Sequence, residues 1–349
     1  MSFLILLMNV MRTRYQHAQS FSFSAKASTR VYYDINNPFL VVQGNNLFKF
    51  NINDFINNHL AHNALMSIAL VEVEDTTQYG VAELDDNLRI HQFIEKPQPT
   101  EAPSNLASSG IYLISPEIKK VFQSEDVHEI IQENNRLDFG YDLIPYLVGY
   151  GYPVYGYPIK TWYDIGTPER YLNAMLDVLH GKIDIRVAET RALPNRNMWA
   201  QGFSRESIKR RNELIRKYHE KKLFLEGAAL IGRHTRIDND SKISDSNVDN
   251  FCILDDHVYV ERSAIMDGCR IGSYTHIMDS IIGRKNVIQS SHENPTYIES
   301  HSVTGNQVQI KEGCKLIRTR VNPNLIIPKG MTYIDKYLRT YEDVVQLSS

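Results

Sequence analysis

An acid and a base stand side by side in Ile94-Glu95-Lys96-Pro97, at the end of a run that alternates like a strand. A loop of small residues follows, and Asn105-Leu106-Ala107-Ser108-Ser109-Gly110-Ile111-Tyr112 leads into another strand-like run. This arrangement suits a sugar phosphate: Glu95 can accept hydrogen bonds from sugar hydroxyls while Lys96 reaches the phosphate. Glu-Lys-Pro is also an ordinary way to leave a strand, so the pair gains meaning only from the segments around it.

The elements that must position this pair alternate between strand and helix from about Val31 to His180. Phe39-Leu40-Val41-Val42 is a continuous apolar run, the mark of a strand buried on both faces. Asn53 is expected to cap a helix from Asp54 to about Ala64, and Leu65 to Val73 reads as the next strand. The runs Tyr79–Leu84 and Ile90–Ile94 flank Asp85-Asp86-Asn87, which predicts a hairpin. Gly110–Ile114 is a further strand, and Ser115-Pro116-Glu117 opens a helix. The pattern predicts an α/β domain with a central, mostly parallel sheet.

Composition narrows the class. The chain has 349 residues, 42% of them hydrophobic and 23% charged, which describes a soluble globular protein of more than one domain. A net charge of -3 gives no electrostatic case for nucleic acid or an anionic membrane. Cys252, Cys269 and Cys314 are odd in number and widely spaced, so buried reduced thiols and a cytoplasmic location are expected, with neither a disulfide framework nor a zinc site. The apolar run Phe3–Met8 is far short of the roughly 20 residues a membrane helix needs, and it has no basic residue ahead of it as a signal peptide would.

Beyond residue 180 the character changes. Residues 181–223 read as a linker, with Pro194 in an aperiodic stretch and a basic helix from Arg205 to Leu223 opened by Ser204. Lys209-Arg210-Arg211 is read as a solvated helix face, because glutamates interleave with it. From 224 to 349 the period becomes six. Ile231, Ile237 and Ile243 are six apart, then, after a slip, Ile253, Tyr259, Ile265, Ile271 and Ile277. A further slip gives Ile282 and Ile288, and after an insertion over 289–295 the spacing resumes at Ile298, Thr304, Ile310 and Leu316. A six-residue aliphatic repeat is the signature of a parallel β-helix.

Five segments in one order now carry a resemblance: Asn37 to Gln43 with Gly44-Asn45-Asn46, Tyr79-Gly80-Val81, Phe93 to Pro97, Asn105 to Tyr112, and Trp162-Tyr163-Asp164-Ile165-Gly166-Thr167-Pro168-Glu169-Arg170-Tyr171. The chain resembles the sugar-1-phosphate nucleotidyltransferases, in particular the glucose-1-phosphate and mannose-1-phosphate types with a C-terminal left-handed β-helix. Asp138-Phe139-Gly140-Tyr141-Asp142-Leu143-Ile144-Pro145 is similar to their segment before the final strands. The resemblance implies a Rossmann-like nucleotidyltransferase domain over 1–180, a linker, and a hexapeptide β-helix. It implies a reaction in which a sugar-1-phosphate oxygen attacks the α-phosphorus of a nucleoside triphosphate and pyrophosphate leaves, with Mg²⁺ held by aspartates.

Carried over by position, Lys96 and Asp164 are the expected catalytic residues and Asp164 a metal carboxylate. Gly80, Glu95, Lys96 and Asn105 are the expected substrate contacts. The alternatives are that Asp164 caps the helix beginning near Pro168 and that Gly80 is a turn glycine. The departures matter equally. The family's first metal aspartate falls at Asn45, an amide without negative charge. Phe23-Ser24-Ala25 stands where the resemblance predicts Gly-Thr-Ala, and the family's glycine-rich triphosphate loop, expected ahead of Gln19, finds no counterpart, so the domain is expected to lack its first βα unit. The expectation is therefore an impaired or inactive nucleotidyltransferase. The second reading is a non-catalytic regulatory or assembly subunit of an intact paralogue, joined through the β-helix or forming homo-oligomers there. A third, an acyltransferase using His276 or His301, has no pattern that singles out a catalytic histidine.

Overall fold

The computed structural model describes residues 5–8, 36–183, 190–193 and 197–346, with backbone alone at 5–8 and 190–193. The segment around Gln19, with Phe23-Ser24-Ala25, and Pro194 lie outside the described residues. The chain forms two compact units, Met1–Asp164 and Ile165–Ser349.

The first unit is an α/β layer structure. Its strands are β1 Ile5–Met8, β2 Phe39–Gln43, β3 Asn46–Lys49, β4 Met66–Glu72, β5 Gly80–Leu84, β6 Ile90–Glu95, β7 Leu106–Ile114, β8 Val154–Pro158 and β9 Thr161–Asp164. The main sheet runs β1-β2-β7-β4-β8, with the β5–β6 hairpin joined to β7. Contrary to the expected mostly parallel sheet, β7 runs antiparallel to both β2 and β4, while the β1–β2 and β4–β8 pairs are parallel. The apolar run near the N-terminus thus pairs in register with β2, from Ile5 opposite Leu40 to Met8 opposite Gln43. The hairpin forms as expected: Asp85 accepts from the Asn87 and Arg89 amides, and Leu88 takes the left-handed conformation at φ 66°.

Residues Met66 to Leu70 of β4 are buried on both faces, which is why that run carries no alternation. One face packs Ile68, Leu70, Tyr112 and Ile114 against Leu143, Ile144 and Leu147. The other packs Ala69, Ile111 and Leu113 against Phe55 of helix α1, Ile52–Ala61. That helix starts earlier than expected because Asn51, not Asn53, is its cap, its side chain accepting from the Asn53 amide. His59 on α1 is wholly buried between the Ser67 and Ser115 hydroxyls, and burial lowers its pKa to about 4, so it stays neutral and braces α1 to β4 and β7.

The second unit begins with helix α5, Pro168–Leu179 (the helices between, α2 Ile118–Phe122, α3 Glu125–Asn134 and α4 Ile144–Gly149, belong to the first unit). Helix α6 spans Arg205–His219 and ends four residues before the predicted Leu223, where Lys221 turns left-handed and the chain enters a strand. From there to Leu338 the chain winds into a parallel β-helix whose turns pair strand on strand.

The inward residues run Ile231, Ile237, Ile243, Val248, Leu254, Val260, Ile265, Ile271, Ile277, Ile282 and Ile288, all essentially inaccessible to solvent. Their spacing is six, six, then five, so corresponding residues recur every 17 positions, as between Thr235 and Cys252. The expected frame was therefore wrong at Ile253 and Tyr259. These face outward, and their neighbours Leu254 and Val260 fill the core, because the third side of the preceding coil, Ile243 to Val248, is one residue short. What the spacing of six reads as slips is that five-residue side.

One corner is built from stacked hydroxyls. Ser246, Ser263 and Ser280 each donate to the carbonyl two residues back, and the Ser246 and Ser263 hydroxyls accept from the amide one coil on. All three cysteines are buried and free within the coils. Among the described residues no helix is long and apolar enough to cross a membrane.

Candidate functional site

Glu95 ends β6 directly opposite Gly80 in β5. Its carboxylate occupies space that two glycines leave open. A Cβ on Gly80 would lie 2.4 Å from Glu95 Oε2, and the same oxygen would be 2.2 Å from a Cβ on Gly140. Neither distance is possible for real atoms, so both positions must lack a side chain for Glu95 to hold this pose. Gly80 is thus neither a turn glycine nor an open approach to solvent, since the Phe93 ring and the Glu95 carboxylate fill its side.

Gly140 sits in a π-helical turn, Phe139–Leu143, that Asp138 caps by accepting from the Gly140 and Tyr141 amides. Asp142 in turn accepts from the Asp138 amide at 2.7 Å. Tyr112 packs beside Phe139 and lies 3.3 Å from the Ser108 hydroxyl. Burial pushes the Glu95 pKa up to about 7, the nearby Lys96 ammonium works against that rise, and the Asp138 carboxylate adds to it. Burial likewise raises the Tyr112 phenol, with Glu95 and Asp138 contributing. Glu95, Asp138, Tyr112 and Ser108 form one half-buried polar cluster.

Lys96 is exposed and adopts φ 48°, with its amide bonded to the Tyr79 carbonyl at 2.9 Å. A left-handed conformation costs a non-glycine residue about 1–2 kcal/mol. Here it breaks the strand direction immediately after Glu95.

A second cluster lies across β7. The register of β4 against β7 shifts between Ile68 and Leu70, and Gly110 in this irregular stretch has φ 72°. A Cβ on Gly110 would lie 2.3 Å from Gln43 Oε1, so that side chain would have to shift, and the positive φ itself favours glycine. The Ser109 carbonyl freed here accepts from Asn46 Nδ2 at 2.5 Å and from Trp162 Nε1 at 2.9 Å. Strands β3 and β9 form a two-stranded ribbon in which Asn46 is opposite Asp164. Asn45, in the turn before β3, donates from Nδ2 to Asp164 Oδ1 at 3.3 Å. Asp164 does not cap the following helix, whose cap is Thr167, accepting from the Arg170 amide.

The expected residues therefore gather in this unit about β7: Gly80, Glu95 and Lys96 on the hairpin side, Asn45 and Asp164 on the ribbon side. Asn105 stands apart from both. It is exposed ahead of β7, and its carbonyl accepts from the Val73 amide at 3.0 Å. Sequence reasoning missed Ser108, Tyr112, Asp138 and Gly140 as members of the Glu95 cluster. The segments holding them were quoted, but only the antiparallel pairing of β7 and the π-helical turn bring them to Glu95.

An α/β unit with an acid–base pair on its hairpin is thus followed by a parallel β-helix, and comparisons with known proteins bear on the class. Residues 11–181 match the family model described as nucleotidyl transferase, and residues 225–334 match that described as GMPPB C-terminal domain. The chain is 26% identical to a glucose-1-phosphate adenylyltransferase of Bacillus cytotoxicus, over 86% of this chain and 76% of that one. It is 27% identical to one from Fusobacterium nucleatum, over 69% of this chain and 53% of that one. A third, from Clostridium novyi, is 33% identical over 41% of this chain and 37% of its own. The chain thus spans about half or less of the second and third relatives. It belongs to the sugar-1-phosphate nucleotidyltransferase family.

That family is typically metal-dependent, so the ribbon side is the place to ask whether a divalent cation fits. The pair there carries one carboxylate and one amide, and the amide presents its donor to Asp164. Among the described residues no three His, Cys, Asp or Glu side chains are grouped to hold a metal by themselves. Hard cations favour carboxylate oxygen and give up water reluctantly. The described residues thus form no all-protein cage for Mg²⁺.

Proposed function

We propose that this chain binds a sugar-1-phosphate at the Glu95–Lys96 cluster, and that it is a sugar-1-phosphate nucleotidyltransferase by descent whose transfer step is impaired. The observation that carries the reading is the Glu95 carboxylate set between Gly80 and Gly140. A carboxylate seated in this slot can accept from two sugar hydroxyls, and Lys96, turned away from the strand, supplies the charge that a phosphate needs. Ser108 and Asp138 add a hydroxyl and a second acceptor to the same cluster.

In the family's reaction a sugar-phosphate oxygen forms a bond to the α-phosphorus of a nucleoside triphosphate. The bond from that phosphorus to the bridging oxygen breaks, and pyrophosphate departs with the electron pair. Such chemistry depends on neutralising charge that builds on the phosphoryl oxygens. Lys96 can do part of this; Asn45 and Asp164 together cannot substitute for a bound cation. The names of the relatives make glucose-1-phosphate the first substrate to try. Calorimetric titration with glucose-1-phosphate, beside a pyrophosphate-release assay with each nucleoside triphosphate, tests both halves. Binding with little turnover is expected; turnover matching an intact relative would overturn the impairment.

The Asn45–Asp164 pair also favours a second reading, a non-catalytic subunit that associates with an intact paralogue through the β-helix. Co-expression of the two chains and analysis of the complex by size decides it. Three buried free thiols agree with a cytoplasmic setting for either reading.

A further inference from the structure

We infer that Asp142 is a positioning residue for the sugar-phosphate site: its carboxylate fixes the π-helical turn whose Gly140 walls the Glu95 slot. The ligand of that site rests on the sugar-1-phosphate reading; the link from Asp142 to Glu95 does not. The Asp142 side chain is only 7% exposed. Its Oδ2 accepts from the Asp138 amide at 2.7 Å, and its Oδ1 accepts from Nδ2 of Asn134, the last residue of α3, at 3.1 Å. Arg136 Nε lies 3.8 Å from Oδ2 and counters the carboxylate charge. Held by these three partners, Asp142 acts through the backbone of its own turn.

At an ordinary helix start, the side chain three residues after the cap returns a bond to the cap's amide. Here the fourth does so, because the first turn is one residue wider. The Asp138 carbonyl accepts from the Leu143 amide, five residues on, at 2.8 Å, and the Phe139 carbonyl accepts from the Ile144 amide. The capping is reciprocal: Asp138 Oδ1 accepts from the Gly140 and Tyr141 amides at 2.9 and 3.0 Å, while Asp142 accepts from Asp138. Both ends of the turn are pinned. The Phe139 ring packs beside Tyr112, and Leu143 and Ile144 are wholly buried. The extra residue is therefore taken up between them, where Gly140 lies against the Glu95 carboxylate.

Loss of the Asp142 carboxylate takes the acceptor from the Asp138 amide and releases the wide turn. Gly140 then withdraws from Glu95, water enters the slot, and the Asp138 carboxylate moves away with the turn. Burial, the main cause that raises the Glu95 carboxyl to about 7, is reduced; so is the contribution of Asp138, while the opposing Lys96 ammonium stays beside Glu95. The Tyr112 phenol, facing Glu95 from β7, is raised by its own burial and stays neutral. Every change therefore moves Glu95 toward the ionised form.

Carbon-13 NMR of the full chain labelled at its glutamate carboxylates, with Glu95→Gln assigning the Glu95 signal, reads the Glu95 ionisation midpoint directly. In the natural chain the midpoint is expected at about 7. In Asp142→Ala it is expected to fall by about one pH unit or more. Asp142→Asn keeps an oxygen for the Asp138 amide and is expected to stay within about 0.3 of the natural midpoint. Calorimetric titration with glucose-1-phosphate adds a second reading: between about pH 6 and pH 8 the rise in affinity flattens in Asp142→Ala to about that of Glu95→Gln. A folded Asp142→Ala whose Glu95 midpoint matches the natural one overturns the inference, and so does an Asp142→Asn that falls as far as alanine. Should Asp142→Ala not fold, Asp142→Ser, whose hydroxyl stops one bond short of the Asp138 amide, takes its place with the same two outcomes. If the natural chain binds no glucose-1-phosphate, the sugar-phosphate reading fails, while the midpoints still decide the link from Asp142 to Glu95.

Discussion

Glu95 and Lys96 are adjacent in sequence, yet the fold treats them oppositely. One is drawn into a slot between glycines, and the other is turned out at a cost in backbone energy. Because burial sets the Glu95 pKa near 7, its ionised fraction rises from roughly one tenth at pH 6 to nine tenths at pH 8. Sugar hydroxyls donate to the ionised form, so affinity should rise by about tenfold over that interval. Titration of glucose-1-phosphate binding against pH checks this, with Glu95→Gln as the control that abolishes the Glu95 contribution and leaves only the ligand's own phosphate ionisation. Gly140→Ala would push a methyl group into the same carboxylate and is expected to weaken binding by at least about tenfold, with a stability loss of about 1–3 kcal/mol from overpacking. Lys96→Gly should separate function from stability. Relief of the left-handed strain raises stability by up to about 1 kcal/mol in urea unfolding while sugar-phosphate affinity falls. A loss of both would show that Lys96 is mainly structural.

At the scale of elements, the hairpin, the buried β4 and the inward aliphatic rows were legible because each follows a local period. The rest required partners far along the chain. Nothing local says that β7 runs antiparallel in the middle of the sheet, or that around Gly110 Ser108 meets the Tyr112 hydroxyl while the Ser109 carbonyl serves Asn46 and Trp162. Asn105 is expected as a contact from the family resemblance; its carbonyl accepts from the Val73 amide, which leaves its exposed side chain available. In the coils, Ile253 and Leu254 are both aliphatic, so the sequence offers two frames and only the pairing of whole coils selects one. The serine corner was not seen at all, since serines carry no hydrophobic signal. It is nonetheless a stabilising element. In Ser263→Ala the buried Ser280 amide loses its acceptor, with an expected cost of about 1–3 kcal/mol measurable by denaturant unfolding. A variant indistinguishable from the natural chain would mean that water reaches that corner.

For the whole molecule, the two units obey different rules about length. A one-residue slip in the sheet of the first unit would exchange buried and exposed faces along an entire strand. The β-helix tolerates such changes, as the extra residues over 289–295 show: Ile288 and Ile310 still stack in register across them. Removal of the 17 residues Ile253–Cys269, one coil by the Thr235-to-Cys252 repeat, should therefore leave a folded protein with Arg270 in the place of Ile253. Retained β-sheet circular dichroism and one cooperative loss on heating are expected; an aggregated or unfolded product would show that the coils are not interchangeable.

The short third side of each coil has a further consequence. With sides of six, six and five residues, the coils outside the 289–295 insertion repeat the same unequal triangle, and each outward position recurs above its predecessor. A trait placed once on the rim, such as the ring stack of Tyr259, His276 and Tyr297, can be copied upward by duplicating one circuit of sequence. Each copy lengthens the rod by a step of about 4.8 Å and needs no new solution to the packing inside. The tail is thus a surface whose extent can be set by counting, independent of whatever chemistry the other unit retains.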